Sequence, residues 1–215
     1  MLRWAIVGNL TMVTFSWLVT LSPEPNITLS DRGNRAGWVL AGGRSRRMGT
    51  DKALVEVAGQ PLAARVASQI ARVCGTVSLV GDPARYSHLG FPVLPDRFPG
   101  EGPLAGIEAV LRSSPADWNL IVACDMPQLD AALLEALFSA GGDCNVATHE
   151  DGRIEPLCAV YHRRCHPAIL AAFEAGVRGV RHVLPQLALR YVRVDASRPI
   201  PNLNTPEDVA RYQNG

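Results

Sequence analysis

Paired cysteines are missing from this sequence. Its five cysteines, Cys74, Cys124, Cys144, Cys158 and Cys165, are scattered, odd in number and never spaced C-x-x-C. That excludes a disulfide scaffold and fits a reduced compartment in which the thiols are structural. An excess of one charge is missing too: 21 Lys and Arg against 20 Asp and Glu leave a formal net charge of +1. No basic stripe with interleaved aromatics occurs outside one short loop, so the broad electrostatic footprint of a nucleic-acid binder is excluded. Repeats and low-complexity tracts are absent. So are His-Glu-x-x-His, Gly-x-Ser-x-Gly, the P-loop spacing and Gly-x-Gly-x-x-Gly, which removes zincins, triad hydrolases and the two commonest phosphate-binding loops. His162 and His166 stand four residues apart near Cys158 and Cys165. Arg163 and Arg164 between them would repel a cation, and they are not taken as a metal site.

What is present is enough apolar sequence for one core: 215 residues, 47% hydrophobic and 19% charged, make one domain the default. Residues 1–36 read differently. Met1 to Leu21 carries one positive charge, Arg3, and an apolar stretch broken by Asn9 and several Thr and Ser. It is too polar for a membrane span, and Leu21 to Asn26 offers no small-x-small cleavage site. The expectation is a poorly ordered extension over 1–36, a domain over 37–215 and a cytoplasmic location.

From Gly37 onward apolar runs alternate with helix-like segments, the pattern of an α/β fold with a mostly parallel sheet. Strands are expected at Trp38–Ala41, Val77–Val80, Phe91–Leu94, Asn119–Ala123, Asn145–Thr148, Leu157–Tyr161 and Tyr191–Val194. Helices are expected from Pro61 to about Val73, Pro103 to about Arg112, Asp130 to about Ser139 with Asp130 as N-cap, Pro167–Ala175, Val180–Leu187, and after Thr205. In such sheets ligands bind at the carboxyl ends of the strands. The chemistry-bearing residues stand there: the loop after Trp38–Ala41, Asp96, and Asp125 after the most strand-like run in the chain.

The segment from Leu40 to Lys52, LAGGRSRRMGTDK, packs three glycines, three arginines and a lysine into one loop. Glycines let backbone N–H groups approach phosphate oxygens, and the cations neutralise their charge, so the loop suits a small polyphosphate. A surface turn with solvated cations is the alternative. Asp125 suits a Mg²⁺ ligand, or an N-cap for the helix after Pro127.

The pattern Leu-Ala-Gly-Gly-x-Ser-x-Arg-Met-Gly-x-Asp-Lys, matched at every specified position, resembles the signature of nucleotidyltransferases with a Rossmann-like fold. It is most similar to the molybdenum cofactor guanylyltransferases. Supporting blocks are Gly102-Pro103-Leu104-Ala105-Gly106, whose glycines would let the chain pass close to a ligand, and Asn202-Leu203-Asn204-Thr205-Pro206-Glu207. The resemblance implies a single Rossmann-like nucleotidyltransferase domain that moves GMP from GTP onto molybdenum-bound molybdopterin, with Mg²⁺ as cofactor and pyrophosphate as the second product. Lys52, Arg47 and Asp125 would be catalytic, with Asp125 on the metal. Leu40, Ala41, Gly42, Gly43, Asp96, Asn202 and Asn204 would join Lys52 and Asp125 in binding nucleotide and cofactor. The amides of Gly42 through Arg46 would wrap the phosphates, and Glu155-Pro156-Leu157 would stand on the acceptor side. For Asp96 a plain loop carboxylate remains open, and for the two asparagines a helix entrance with turn residues. A molybdoenzyme or a cofactor-delivery protein is an implied partner; nucleic acid and membrane are not. Alternatives are a molybdopterin cytidylyltransferase, a sugar- or polyol-phosphate nucleotidyltransferase, and a nucleotide-binding cofactor carrier without turnover.

Overall fold

The computed structural model describes residues 34–42 and 50–214. The expected extension up to residue 33, together with Gly43 and Arg47, lies outside the described residues. In chain order the elements are β1 (Arg35–Leu40), β2 (Glu56–Val57), β3 (Gln60–Pro61), α1 (Leu62–Ile70), β4 (Thr76–Gly81), α2 (Pro83–Tyr86), β5 (Val93–Pro95) and α3 (Pro103–Ser113). Then come β6 (Trp118–Ala123), α4 (Ala131–Ser139), β7 (Cys144–Thr148), β8 (Ile154–His162), α5 (His166–Glu174), β9 (Leu189–Arg193) and α6 (Pro206–Asn214). Seven strands form one sheet in the order β5-β4-β1-β6-β8-β7-β9, and β2 and β3 pair separately. Within the sheet β8 runs antiparallel to both neighbours, β6 and β7; the remaining pairs are parallel.

The central strands read as unbroken apolar runs because helices cover both faces. Side chains alternate across the sheet. Val39, Leu79, Leu120 and Val122 pack with Val66 and Ile70 of α1 and with Leu134 and Leu137 of α4. Trp38, Leu40, Val80 and Ile121 pack with Leu104, Ile107 and Val110 of α3 and with Ile169 and Phe173 of α5. Buried Asn119 is satisfied: it accepts from the Trp38 indole at 3.0 Å and donates to the Ala116 carbonyl at 3.2 Å. All five cysteines are free and buried. Burial pushes the thiols of Cys74, Cys124, Cys158 and Cys165 up to about 12, so at neutral pH they are protonated packing groups.

Several expected boundaries move. The strand expected at Trp38 begins at Arg35, and the one expected at Phe91–Leu94 is Val93–Pro95. Pro61 caps α1 instead of opening it, and beyond Ile70 the chain continues as single turns, such as Val73 N–H to the Ile70 carbonyl at 3.1 Å. The helix expected over Val180–Leu187 is two 3₁₀ turns, Val180–His182 and Leu184–Gln186. Pro185 is the cause, since it has no N–H for an α-helical bond and its ring would meet the preceding turn. Asp130 occupies the N-cap position of α4 but makes no capping bond; its carboxylate accepts from Arg198 at 3.1 Å. Gly106 is a packing glycine, because a Cβ there would stand 3.1 Å from Leu40 Cδ2. It lets α3 lie close on the sheet and does not open a path to a ligand.

Strands β5, β4, β1 and β6 all end at one edge, from which the loops carrying Gly42, Asp96 and Asp125 emerge. Among the described residues no helix is long and apolar enough to cross a membrane. Two glycines at this edge differ in kind. A Cβ on Gly81 would stand 2.6 Å from Tyr86 Cε2, whereas one on Gly42 meets its nearest atom at 3.9 Å. Gly81→Ala is expected to cost about 1–3 kcal/mol through overpacking against the ring, and Gly42→Ala less than about 0.5 kcal/mol. Thermal melts of the two variants check this; equal stability would contradict the close approach of Tyr86.

Candidate active site

The loop after β1 is tied at both ends. The Ala41 and Gly42 N–H groups both donate to the Val80 carbonyl, at 3.0 and 3.3 Å. Buried Tyr86 stands with its hydroxyl 2.9 Å from the Ala41 carbonyl and 2.9 Å from Asp51 Oδ2, sharing its proton between the loop's entrance and its exit. Burial, then the Asp51 carboxylate, pushes that phenol well above its ordinary range. Arg85 pairs with the same carboxylate. Asp51 Oδ1 accepts from the Ala53 N–H at 3.1 Å and so caps the short turn Lys52–Leu54. That cap aims Lys52.

Lys52 Nζ donates to Asp125 Oδ2 at 2.7 Å and to Asn204 Oδ1 at 2.9 Å. Among the described residues these are the ammonium's acceptors, which leaves one of its three N–H bonds for an anion. Asp125 stands two residues past the end of β6, and its other oxygen, Oδ1, is buried without a hydrogen-bond partner among the described residues. The capping alternative for Asp125 fails, because the cap position of α4 belongs to Asp130.

The last segment reaches the site through its main chain: the Leu203 N–H donates to the Asp125 carbonyl at 2.9 Å. Leu203 is turned away into an apolar cluster with Val57, Leu62 and Val209. The turn reading of this block accounts for Thr205, which exchanges bonds with Asp208 in a reciprocal cap at 3.0 and 3.2 Å. It leaves the asparagine side chains to the site, Asn204 on Lys52 and Asn202 on Glu155 at 3.2 Å.

Of the other expected residues, Asp96 follows β5, holds the Phe98 N–H at 2.9 Å with Oδ1, and directs Oδ2 to within 3.9 Å of where a Gly42 Cβ would be. Leu40 is 8% exposed, in the core, and offers the site only its main chain. The amide cradle expected from Gly42 to Arg46 begins with an amide already engaged by Val80; its other members lie outside the described residues. Sequence reasoning missed Tyr86, for which no local signal exists. It also passed over Asp51, which stands at a specified position of the thirteen-residue loop pattern, and the partners of Glu155.

The arrangement is a lysine held by two acceptors beside a carboxylate with an open oxygen, at the carboxyl edge of a Rossmann-like sheet. Residues 37–191 match the MobA-like NTP transferase domain. The chain belongs to this family. It is 40% identical over 188 residues to a molybdenum cofactor guanylyltransferase of Rhodobacter capsulatus, which covers 83% of this chain and 95% of that protein. It is 36% identical over 189 residues to a probable molybdenum cofactor guanylyltransferase of a Nostoc species, covering 84% of this chain and 91% of that one. A solved structure, molybdopterin-guanine dinucleotide biosynthesis protein A from Archaeoglobus fulgidus, matches with a TM-score of 0.71 at 26% identity, over 84% of this chain and 97% of that chain.

For a MobA-like NTP transferase domain the phosphate contact expected of Lys52 is testable directly. A charge-assisted bond contributes about 1.5–3 kcal/mol, so Lys52→Ala is expected to weaken nucleoside triphosphate binding at least about tenfold. Its pairing with Asp125 is largely shielded, with side-chain exposures of 12% and 21%, so leaving the carboxylate short of a donor is also expected to cost about 1–3 kcal/mol of stability. Titration calorimetry beside a thermal melt reads both; unchanged affinity would remove Lys52 from the phosphate site.

Proposed function

We propose that this protein transfers GMP from GTP to the terminal phosphate of molybdenum-bound molybdopterin, forming the guanine dinucleotide cofactor and releasing pyrophosphate. The observation that carries the reading is the convergence of three distant blocks on one ammonium: Lys52 from the loop, Asp125 from the sheet edge and Asn204 from the last segment. The names of the relatives support the substrates.

In this reaction an oxygen of the acceptor phosphate attacks the α-phosphorus of GTP as the bond between the α-phosphorus and the bridging oxygen breaks. The leaving pyrophosphate keeps the electron pair. A phosphate monoester is already largely ionised at neutral pH, its second pKa being about 6, so the attacking oxygen needs no general base. What the protein must supply is alignment and cationic stabilisation. Lys52 gives the fixed positive charge over the β- and γ-phosphates, Arg47 a second. Gly42 and Asp96 flank the base or ribose, where a bare backbone admits the edge of a large purine.

The donor set fits Mg²⁺. Asp125 Oδ1 is a buried carboxylate oxygen lacking a partner among the described residues. Mg²⁺ characteristically takes one or two carboxylates and draws its other ligands from phosphates and water. Bound to Asp125, it would neutralise charge on the phosphates during transfer. The reading carries with it a cytoplasmic location and delivery of the product to a molybdoenzyme, directly or through a carrier protein.

Two measurements test it. A wrong base leaves buried polar groups unpaired at about 1–3 kcal/mol each, so kcat/KM with the molybdenum-loaded pterin is expected to favour GTP over CTP and ATP by at least roughly tenfold. A preference for CTP would replace guanylyl by cytidylyl transfer and leave the site standing. Asp125→Asn keeps the size and loses the charge; it is expected to abolish turnover and weaken metal-dependent GTP binding. Binding without any release of pyrophosphate by the unsubstituted protein would favour a carrier.

A further inference from the structure

Asn202 has a property that neither the loop pattern nor the helix cap requires. Its Oδ1 is buried without a partner among the described residues, like Oδ1 of Asp125. The two residues stand on neighbouring segments joined by the bond from the Leu203 N–H to the Asp125 carbonyl at 2.9 Å. Leu203 is packed into the core, and the asparagines on either side of it turn the other way, Asn204 to Lys52.

The direction of the Asn202 amide is decided by chemistry. Its neighbour at 3.2 Å is Glu155 Oε1. The Asn202 NH₂ donates to that oxygen, so the amide carbonyl faces away from it. Glu155 is itself held: it is 7% exposed, lies 3.1 Å from His149 Nε2 and pairs with Arg153. Its place follows from the strand direction. Because β8 runs against β6, with Val122 opposite Cys158, residue 155 lies beyond the end of β6, on the side where Asp125 follows. The β7–β8 register shifts at this point, from Val146 opposite Ala159 to Ala147 opposite Glu155, and Pro156, which cannot donate to a ladder, lies in the skipped stretch.

We propose that Glu155 is a positioning residue that locks the Asn202 amide with Oδ1 toward the site, making that oxygen, with Asp125 Oδ1, a second protein ligand for the divalent cation. This rests on the nucleotidyl-transfer reading above. An amide carbonyl is a suitable hard ligand, and partners that orient ligands commonly affect metal affinity on the order of 10–100-fold. His149 and Arg153 hold Glu155 in place.

The test reads Mn²⁺ affinity by electron paramagnetic resonance in the presence of a non-hydrolysable GTP analogue, for the unsubstituted protein and for Glu155→Ala, Asn202→Ala, the double variant and Glu155→Gln. Glu155→Ala and Asn202→Ala are each expected to weaken Mn²⁺ binding by at least about tenfold, and the double variant to be no worse than either, because both act through one oxygen. Analogue binding without metal is expected to stay within about twofold. Glu155→Gln, which keeps an acceptor for the Asn202 NH₂, is expected to fall between, and it carries the test if Glu155→Ala does not fold. Wild-type Mn²⁺ affinity in both Glu155 variants, or additive losses in the double variant, would overturn the positioning role. Failure of the unsubstituted protein to bind Mn²⁺ with the analogue would overturn the functional reading itself.

Discussion

The contact from Lys52 to Asp125 is the constraint on which the rest depends. It joins residues 73 positions apart at 2.7 Å, and the same ammonium reaches Asn204 a further 79 positions along the chain, the difference between separations of 152 and 73. A lysine stem has four rotatable carbons and loses considerable entropy when fixed, so the geometry must be imposed from outside. The capped turn at Asp51 imposes it on one side, and the main-chain bond between Leu203 and Asp125 on the other. An exposed ion pair would contribute little. This one is largely shielded, with side-chain exposures of 12% and 21%, so the ammonium is held between fixed acceptors with little of it in water.

Tyr86 extends the same logic to the loop. Its hydroxyl serves two acceptors that the chain separates by ten residues, Ala41 and Asp51, so the loop between them is closed by a ring that sits in the core. The ring fits because position 81 has no Cβ. A substitution at Gly81 therefore bears on the separation of the loop's ends through Tyr86. Arg85, beside Tyr86, adds charge balance for Asp51.

Much of this was legible in the sequence where one residue type does one job in one place. The strand before the loop, Asp125 shortly after β6 and the Thr205-Pro206 helix entrance came through, because proline and capping residues act over a few positions. Pro185 carried the opposite message and was overlooked: an apolar helix-like spacing over 180–187 outweighed it on paper, while the missing N–H decided the outcome in the fold. Asp130 shows the limit of capping rules, since a distant arginine outbids the local amide. Tyr86 and the Glu155 network were illegible for a different reason. The partners that give them meaning, Ala41 and Asp51 for Tyr86 and Asn202 for Glu155, stand 35 to 47 positions away, and nothing local distinguishes such a tyrosine or glutamate from a core ring or a loop charge.

The reversed strand explains how two kinds of chemistry share one edge. A wholly parallel sheet presents only carboxyl ends at its ligand edge, followed by loops that lead into helices, as at Gly42, Asp96 and Asp125. By running backwards beside β6, β8 brings an amino-terminal end to the same edge, and with it Glu155. The parallel half can then be given over to one phosphate-bearing substrate, with glycines and a lysine. The half beyond β6 supplies a buried carboxylate to which Arg153 and Asn202 donate and beside which His149 Nε2 stands at 3.1 Å. A buried carboxylate with fewer donors would be costly. With these three partners it is a rigid mount, and rigidity at this place is what an in-line transfer between two phosphates requires, because neither the attacking nor the leaving oxygen calls for a proton to be moved.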